Sequence, residues 1–410
     1  MLQLGTSRLS GWVDVPSSKS ISHRYLICAA LSKGESVVHA LAQNDDIVAT
    51  ANALRAMGAD IRMDGDTAYV RGIEHIEPLS DLVLDCNESG STVRFLLPLV
   101  LAFGARNVRL IGRGKLGTRP MQVYRDLCAA QGIGYMDASD ASGKLDILLN
   151  GKLHADTFRI PADISSQFLS GLLMAMPLLE APSRLECVGE RTSVGYIDLT
   201  LQSMQDFGVQ VECDENGYRV APQSYRPNVC MVEGDYSQAA FFAVANAIGN
   251  TVHMRGLRQD SMQGDRVIFE LLEMLQAARL GETVRVDGEN CPDIIPVFCV
   301  ACALSRATCI IDRVARLRIK ECDRLDATVR ELSAIGADIQ AQGDSIVVHG
   351  KPNLVGGVAV SSHADHRIAM MLAIAATRCD KPITLDQAEC VSKSYPDFFT
   401  VYRELGGTAV

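Results

Sequence analysis

The sequence has no run of lysines and no excess of basic residues. Its 39 Lys and Arg stand against 49 Asp and Glu, for a formal net charge of -10. A basic surface for nucleic acid is therefore not expected. Long apolar segments are also missing: the longest, Ile294 to Leu304, is too short to span a bilayer and contains Pro296. The opening stretch MLQLGTSRLSGWVDV lacks the charged and apolar regions of a signal peptide, so a cytoplasmic protein is expected. No low-complexity tract or long linker interrupts the chain. Cysteine is plentiful, at 13, but is spread singly through apolar runs, as reduced and buried thiols are. Cys299 and Cys302 form one C-x-x-C with no second pair and no neighbouring His, so no metal site is expected.

At 410 residues the chain exceeds the length at which one hydrophobic core stops growing, which favours two domains. A helix–glycine–strand joint recurs along it. Residues 54–61 (LRAMGADI) are echoed at 332–339 (LSAIGADI), with weaker copies around Gly132, Gly208, Gly281 and Gly407. Glycine suits the left-handed position that closes a helix, and alternation after it suits a strand. The copies lie about 70 to 75 residues apart with one shorter interval, too long for a solenoid. Three fall before residue 225 and three after it. The segment 221–227 (APQSYRP), with two prolines, suggests a boundary. The expectation is an α/β protein whose two halves divide at 224/225, with a ligand cleft between them.

Cations stand in short stretches rich in Gly, Ser and Asp: Lys19, Arg24, Arg94, Arg119, Lys320, Arg324, Arg367 and Lys393. Such placement beside helix starts focuses positive potential on small anions. In 16–24 (PSSKSISHR), Ser20 is expected to cap a helix and leave Lys19 and free N–H groups facing an anion. A plain capped helix with solvated charges is the alternative. In 88–94 (ESGSTVR), Gly90 would let a ligand approach the backbone. Ser165, Ser166 and Gln167 offer a donor cluster at another helix start. The segment 112–117 (GRGKLG) matches G-x-G-x-x-G with Asp137 further on. Pro120, however, should delay the helix beyond the third glycine and remove the geometry a dinucleotide needs. Charges at 318–324 (RIKECDR) could be a salt-bridged helix face. Residues 365–367 (DHR) put polar groups directly before an apolar helix, where idle charge would be costly.

Taken in order, SKSxSxR, GSxxR, LGTRP, SSQF, EGDxS, RxKExDR, DHRxAM and KSxPDF resemble the 5-enolpyruvylshikimate-3-phosphate synthase family from end to end. That resemblance implies a two-domain inverse α/β barrel, each domain holding three βαβαββ units, with residues 1–14 joining the C-terminal domain and the active site in the cleft. It implies transfer of the enolpyruvyl group of phosphoenolpyruvate to the 5-hydroxyl of shikimate 3-phosphate, in the pathway to chorismate. No cofactor is implied, and the chain is expected to act as a monomer on these two small molecules, without nucleic acid or membrane. Matched motif by motif, Lys19, Ser20, Arg24, Ser165, Ser166, Gln167, Ser193, Tyr196, Asp293 and Lys320 would contact shikimate 3-phosphate. Lys19, Gly90, Arg94, Arg119, Gln167, Arg324, Arg367 and Lys393 would surround phosphoenolpyruvate. Lys19, Asp293 and Glu321 would move protons.

The sequence departs from the commonest family pattern at His23, Glu88, Ser91, Gln238, Arg316 and Cys322. Glu88 is the most surprising, because a carboxylate beside a phosphate site repels anions unless paired or turned away. The sister family that uses UDP-N-acetylglucosamine carries a Cys between positions 112 and 120, and this chain has none there.

Overall fold

The structure is a computed structural model that describes residues Met1–Val410. It divides into two compact units, one of residues 17–233 and one of residues 1–16 with 234–410. The crossings thus come at Pro16/Ser17 and Glu233/Gly234, which corrects the boundaries expected at 14/15 and 224/225. The reason is a strand. Val229–Met231 runs parallel to Glu35–His39, so the prolines at 222 and 227 lie in a loop inside the first unit.

That unit carries helices α1 (Lys19–Leu31), α2 (Asp45–Ala56), α3 (Gly90–Phe103), α4 (Gln122–Ala130), α5 (Ser166–Ala175) and α6 (Val194–Asp206). Its three sheets share one plan: a parallel pair, then two antiparallel neighbours. In the first, Val229–Met231 pairs with Glu35–His39, then Thr67–Arg71, then Asp60–Asp64. The same order recurs over residues 79–151 and 157–220. Each repeat is a βαβαββ unit, and the first takes its opening strand from the end of the segment.

The other unit carries α7 (Tyr236–Ala247), α8 (Ile268–Ala277), α9 (Ile295–Ala303), α10 (Arg324–Ala334), α11 (His366–Ala376) and α12 (Phe398–Glu404). Two of its repeats follow the plan. Thr283–Asp287, Thr308–Asp312, Ser345–His349 and Asp338–Gln342 form one sheet, and Ala359–Val360, Ile383–Leu385, Leu2–Gly5 and Thr408–Ala409 form another. The third has only its parallel pair, Ser10–Asp14 with Thr251–Arg255. Three complete βαβαββ units were expected here; one lacks its final hairpin. Only residues 278–282 separate α8 from the next strand, too few for two strands and a turn. This is the shorter interval in the glycine spacing. The last helix is closed by Gly406, with φ of 95°, rather than by Gly407.

Each unit has its own apolar core. Helices α3 and α11 are buried nearly all round, and every residue of α11 is buried. A helix apolar on all sides belongs inside. It can offer polar groups to a ligand only at its ends, and the charged motifs sit at those ends. No helix is long and apolar enough to cross a membrane.

Candidate active site

In the unit of residues 17–233, helix starts gather the cations. Ser18, not Ser20, caps α1: its hydroxyl accepts from the Ile21 amide at 3.4 Å. Ser20 therefore lies inside the first turn, and its carbonyl accepts from Arg24 Nη1 at 2.7 Å. Arg24 is 2% exposed. Its Nε donates to Thr200 Oγ1 at 2.7 Å and its Nη2 to the Tyr196 carbonyl at 2.9 Å and Ser170 Oγ at 3.3 Å. The guanidinium also stands 5.1 Å from the centre of the Phe95 ring. All of these partners are neutral, and burial pulls its pKa down to about 10. Lys19, the first residue of α1, pairs with Asp46 Oδ2 at 3.0 Å.

A second group forms where α3 and α5 begin. Ser89 caps α3 and Ser165 caps α5, each through its hydroxyl. Arg94 Nη1 donates to Gln167 Oε1 at 2.7 Å, while Gln167 Nε2 donates to Ser91 Oγ at 2.9 Å. Arg94 Nη2 reaches the Pro120 carbonyl at 2.9 Å. Ser166, the first residue of α5, is buried. Gly90 has a role the sequence did not show. A Cβ there would lie 2.6 Å from Arg119 Nη1 and 3.4 Å from Arg94 Nη1, so the missing side chain makes room for two guanidiniums. Ser193 begins α6 in the left-handed region, with φ of 53°.

The decoy glycines behave as Pro120 implied. Residues 113–118 form a turn ending in a short 3-10 stretch, and α4 begins only at Gln122. Asp137 pairs with Arg125 at 2.6 Å. Two departures from the family pattern become intelligible. Burial, then Lys19 and Arg24, pushes the His23 ring well below the ordinary histidine pKa, so it adds no charge. Glu88 lies over Gly114, whose Cβ would fall 2.3 Å from Glu88 Oε2.

In the unit of residues 1–16 and 234–410 the cations are held by carboxylates. Arg324, 1% exposed at the start of α10, donates through Nη1 to Asp293 Oδ1 at 2.8 Å and through Nε to Asp365 Oδ2 at 2.7 Å. Its Nη2 donates to Glu321. Burial opposes its charge, but Asp365, Glu321 and Asp293 together hold its pKa well above the usual arginine value. Asp293 precedes α9 and accepts from two further cations, Arg367 Nη2 at 3.1 Å and Lys320 Nζ at 3.4 Å. Burial lowers the Lys320 pKa even though Asp293 opposes the shift. Asp365 caps α11 by accepting from the Arg367 amide at 2.8 Å. Arg367 Nη1 donates to the Ser237 carbonyl at 3.3 Å, and Lys393 Nζ to the Ala364 carbonyl at 3.0 Å. Cys322 Sγ lies 3.6 Å from Asp365 Oδ2, where it fills the place beside that carboxylate.

The expected residues of each unit thus fall into local clusters: Lys19, Ser20, Arg24 and Tyr196; Gly90, Arg94, Arg119 and Gln167; and Asp293, Lys320, Glu321, Arg324 and Arg367. Sequence reasoning missed Thr200 and Ser170, which hold Arg24, and left Asp365 without a role. Thr200 sits one helical turn after Tyr196, a spacing that could have flagged it. For Asp46, the Lys19 partner, no local signal exists.

A family model described as EPSP synthase (3-phosphoshikimate 1-carboxyvinyltransferase) matches residues 4–402. A 3-phosphoshikimate 1-carboxyvinyltransferase of Clostridium botulinum (strain Eklund 17B / Type B) is 45% identical over 422 residues, covering 98% of this chain and 96% of that protein. One from Clostridioides difficile (strain 630) is 44% identical over 431 residues, covering 99% and 97%. Among solved structures, an EPSP synthase from Acinetobacter baumannii matches with a TM-score of 0.80 at 24% identity, over 100% of this chain and 99% of that one. The enolpyruvyl transferase NikO from Streptomyces tendae matches at 0.74 and 17%, over 100% and 98%. Those two likenesses speak for the fold, an inverse α/β architecture of two domains. The near-complete family match and the relatives at 44–45% identity carry the further step: the chain belongs to the EPSP synthase (3-phosphoshikimate 1-carboxyvinyltransferase) family.

Proposed function

We propose that the clusters of both units serve one reaction: transfer of the enolpyruvyl group of phosphoenolpyruvate to the 5-hydroxyl of shikimate 3-phosphate, releasing phosphate. Family membership supports the reaction. The observation that carries the division of roles is Arg324, which binds Asp293 and Glu321 with one guanidinium. Together the two substrates bring two phosphates and two carboxylates. Gathering such mutually repelling anions takes several charge-assisted bonds, each contributing roughly 1.5–3 kcal/mol. Arg24 with Ser165, Ser166 and Lys320 takes shikimate 3-phosphate, while Arg94, Arg119, Arg324, Arg367 and Lys393 take phosphoenolpyruvate.

Chemically, C3 of the enol gains a proton as the 5-hydroxyl attacks C2 and loses its own. The resulting tetrahedral intermediate then expels phosphate while its new methyl group returns a proton. One acid and one base on opposite partners suit this, with cations stabilising the oxyanions. Asp293 takes the hydroxyl proton. Glu321, with Lys19 sharing the acid role, delivers the proton to C3 and retrieves one later. The protein works as a monomer in the cytoplasm on these small molecules, without nucleic acid.

The test is phosphate release from phosphoenolpyruvate with shikimate 3-phosphate, with UDP-N-acetylglucosamine run in parallel. Release with the first acceptor alone is expected; release only with the nucleotide sugar would move the chain's activity to the sister family. Glu321→Ala should lower turnover by about 10²–10⁴ without unfolding the protein. Near-normal turnover in that variant would reject its proton-transfer role.

A further inference from the structure

The loop of residues 361–365 touches three of the cations assigned above to phosphoenolpyruvate. Its Asp365 holds Arg324 and caps the helix that begins with His366 and Arg367. Its Ala364 carbonyl accepts from Lys393 Nζ at 3.0 Å. Where this loop goes, those side chains go.

The loop adopts a conformation it would not choose unaided. His363 and Ala364 are consecutive, neither is glycine, and their φ angles are 52° and 54°. L-residues enter that left-handed region only when their surroundings over-determine it. Ala364 is exposed and has no polar side chain with which to stabilise the turn locally, as Asn or Asp would. Within the loop, Ser361 Oγ and Ser362 Oγ accept from the His363 and Ala364 amides at 3.1 and 3.2 Å, and further constraint comes from outside it. Glu331, on α10 and 5% exposed, accepts from the Ser361 amide through Oε2 at 2.9 Å and meets His363 Nε2 through Oε1 at 2.7 Å. One carboxylate therefore grips the turn at two points, its first residue and its middle one. Asp386 steadies the entry, accepting from the Ser362 amide at 2.9 Å and from Ser361 Oγ at 3.1 Å.

We propose that Glu331 and His363 are positioning residues for phosphoenolpyruvate, clamping the 361–365 turn so that Arg324, Arg367 and Lys393 are aimed before the substrate arrives. The proposal rests on the assignment of those three cations to phosphoenolpyruvate. Neither Glu331 nor His363 needs to touch a substrate. Releasing the clamp lets the turn relax toward right-handed geometry. That displaces the Ala364 carbonyl from Lys393 and the Asp365 carboxylate from Arg324. Pre-organisation lost this way weakens binding of the substrate those cations hold and leaves the other substrate untouched.

Steady-state kinetics on the full chain test it. His363→Ala should raise KM for phosphoenolpyruvate about 10-fold. Turnover at saturation, KM for shikimate 3-phosphate and the melting temperature should stay close to those of the parent. His363→Gln, whose amide N–H can still donate to Glu331, should recover most of the loss. An unchanged KM for phosphoenolpyruvate, an equal rise for both substrates, or a His363→Gln variant no better than His363→Ala would each overturn the proposal. Arg367→Ala, measured alongside, separates the two ways of failing. If it raises KM for phosphoenolpyruvate and His363→Ala does not, only the clamp is wrong. If Arg367→Ala itself leaves that KM unchanged, the cation assignment is wrong and the clamp falls with it.

Discussion

Arg24, in the second turn of α1, and Arg324, the first residue of α10, are both buried guanidiniums, yet their surroundings are opposite. Arg24 meets hydroxyls, carbonyls and the face of Phe95, and burial lowers its pKa to about 10. Arg324 meets three carboxylates, which outweigh burial and hold its charge. A buried cation among neutral dipoles is a standing demand for an anion. A cation already matched by carboxylates is instead a rigid frame, able to orient acids and bases at short range. The two arginines thus stand in surroundings suited to different tasks, one open to an incoming anion and one already matched by fixed carboxylates.

The sharpest way to break this contrast is to remove each arginine in turn. Arg324→Met leaves Asp293, Glu321 and Asp365 without their shared cation, and should destabilise its unit by roughly 3–5 kcal/mol. Arg24→Met removes a charge that no carboxylate compensates, and should cost only about 1–2 kcal/mol. Urea titration with amide hydrogen exchange read separately on α10 and α1 distinguishes them. Equal losses would erase the comparison.

A second test uses pH. Asp265, 3% exposed in the carboxylate-rich unit, bonds to Ser237 and faces Asp293, Asp235 and Arg367. Burial first, then Asp293, raises its pKa to about 6 against the pull of Arg367 and Ser237. The folded state thus binds this proton more tightly than the unfolded chain, whose carboxyl titrates near 3.9. The resulting stability is fully present below about pH 4 and is lost as pH rises through about 6. Asp265→Asn should therefore gain on the parent by roughly 2–3 kcal/mol between pH 4 and 7. Parallel stability curves for the two proteins would show that the carboxyl does not titrate in that window.

The smallest expected effect sharpens the contrast from the other side. Sulfate at ten times its dissociation constant should stabilise the unit of residues 17–233 by about 1.4 kcal/mol. The carboxylate-matched unit should respond less. Hydrogen exchange in α1 and α5 against α10 and α11 reads the difference; equal protection in both would argue against a preference for anions around Arg24.

Much of this was legible in the sequence because it depends on local chemistry. Ser165, Ser166 and Gln167 do stand at a helix start, and Pro120 delays α4 until Gln122. The glycine joints count the repeats, and their one short interval marks the hairpin that residues 278–282 leave no room for. What escaped depends on distant parts of the chain. Thr200 lies 176 positions from Arg24, and Glu331 lies 32 from His363. Ser20 was expected to cap α1 because it precedes the apolar residues, but Ser18 does so, one of three serines within four positions. Local pattern finds a helix start to within a turn and leaves the individual hydroxyl open. Gly90 was read as space for a ligand, whereas the structure fills that space with Arg119.

The pairing of Leu2–Gly5 with Ile383–Leu385 and Thr408–Ala409 bears on how the protein is made. During synthesis, residues 17–233 leave the ribosome with every strand of their three sheets already present. They can fold while translation continues. Residues 1–16 are made before them, yet Ser10–Asp14 must wait for Thr251–Arg255 and Leu2–Gly5 for strands beyond residue 382. Leu2–Gly5 thus finds its place only after the rest of its sheet has been made. A chain stalled before residue 383 therefore carries one domain ready to fold and another with an exposed edge that chaperones or proteases would recognise.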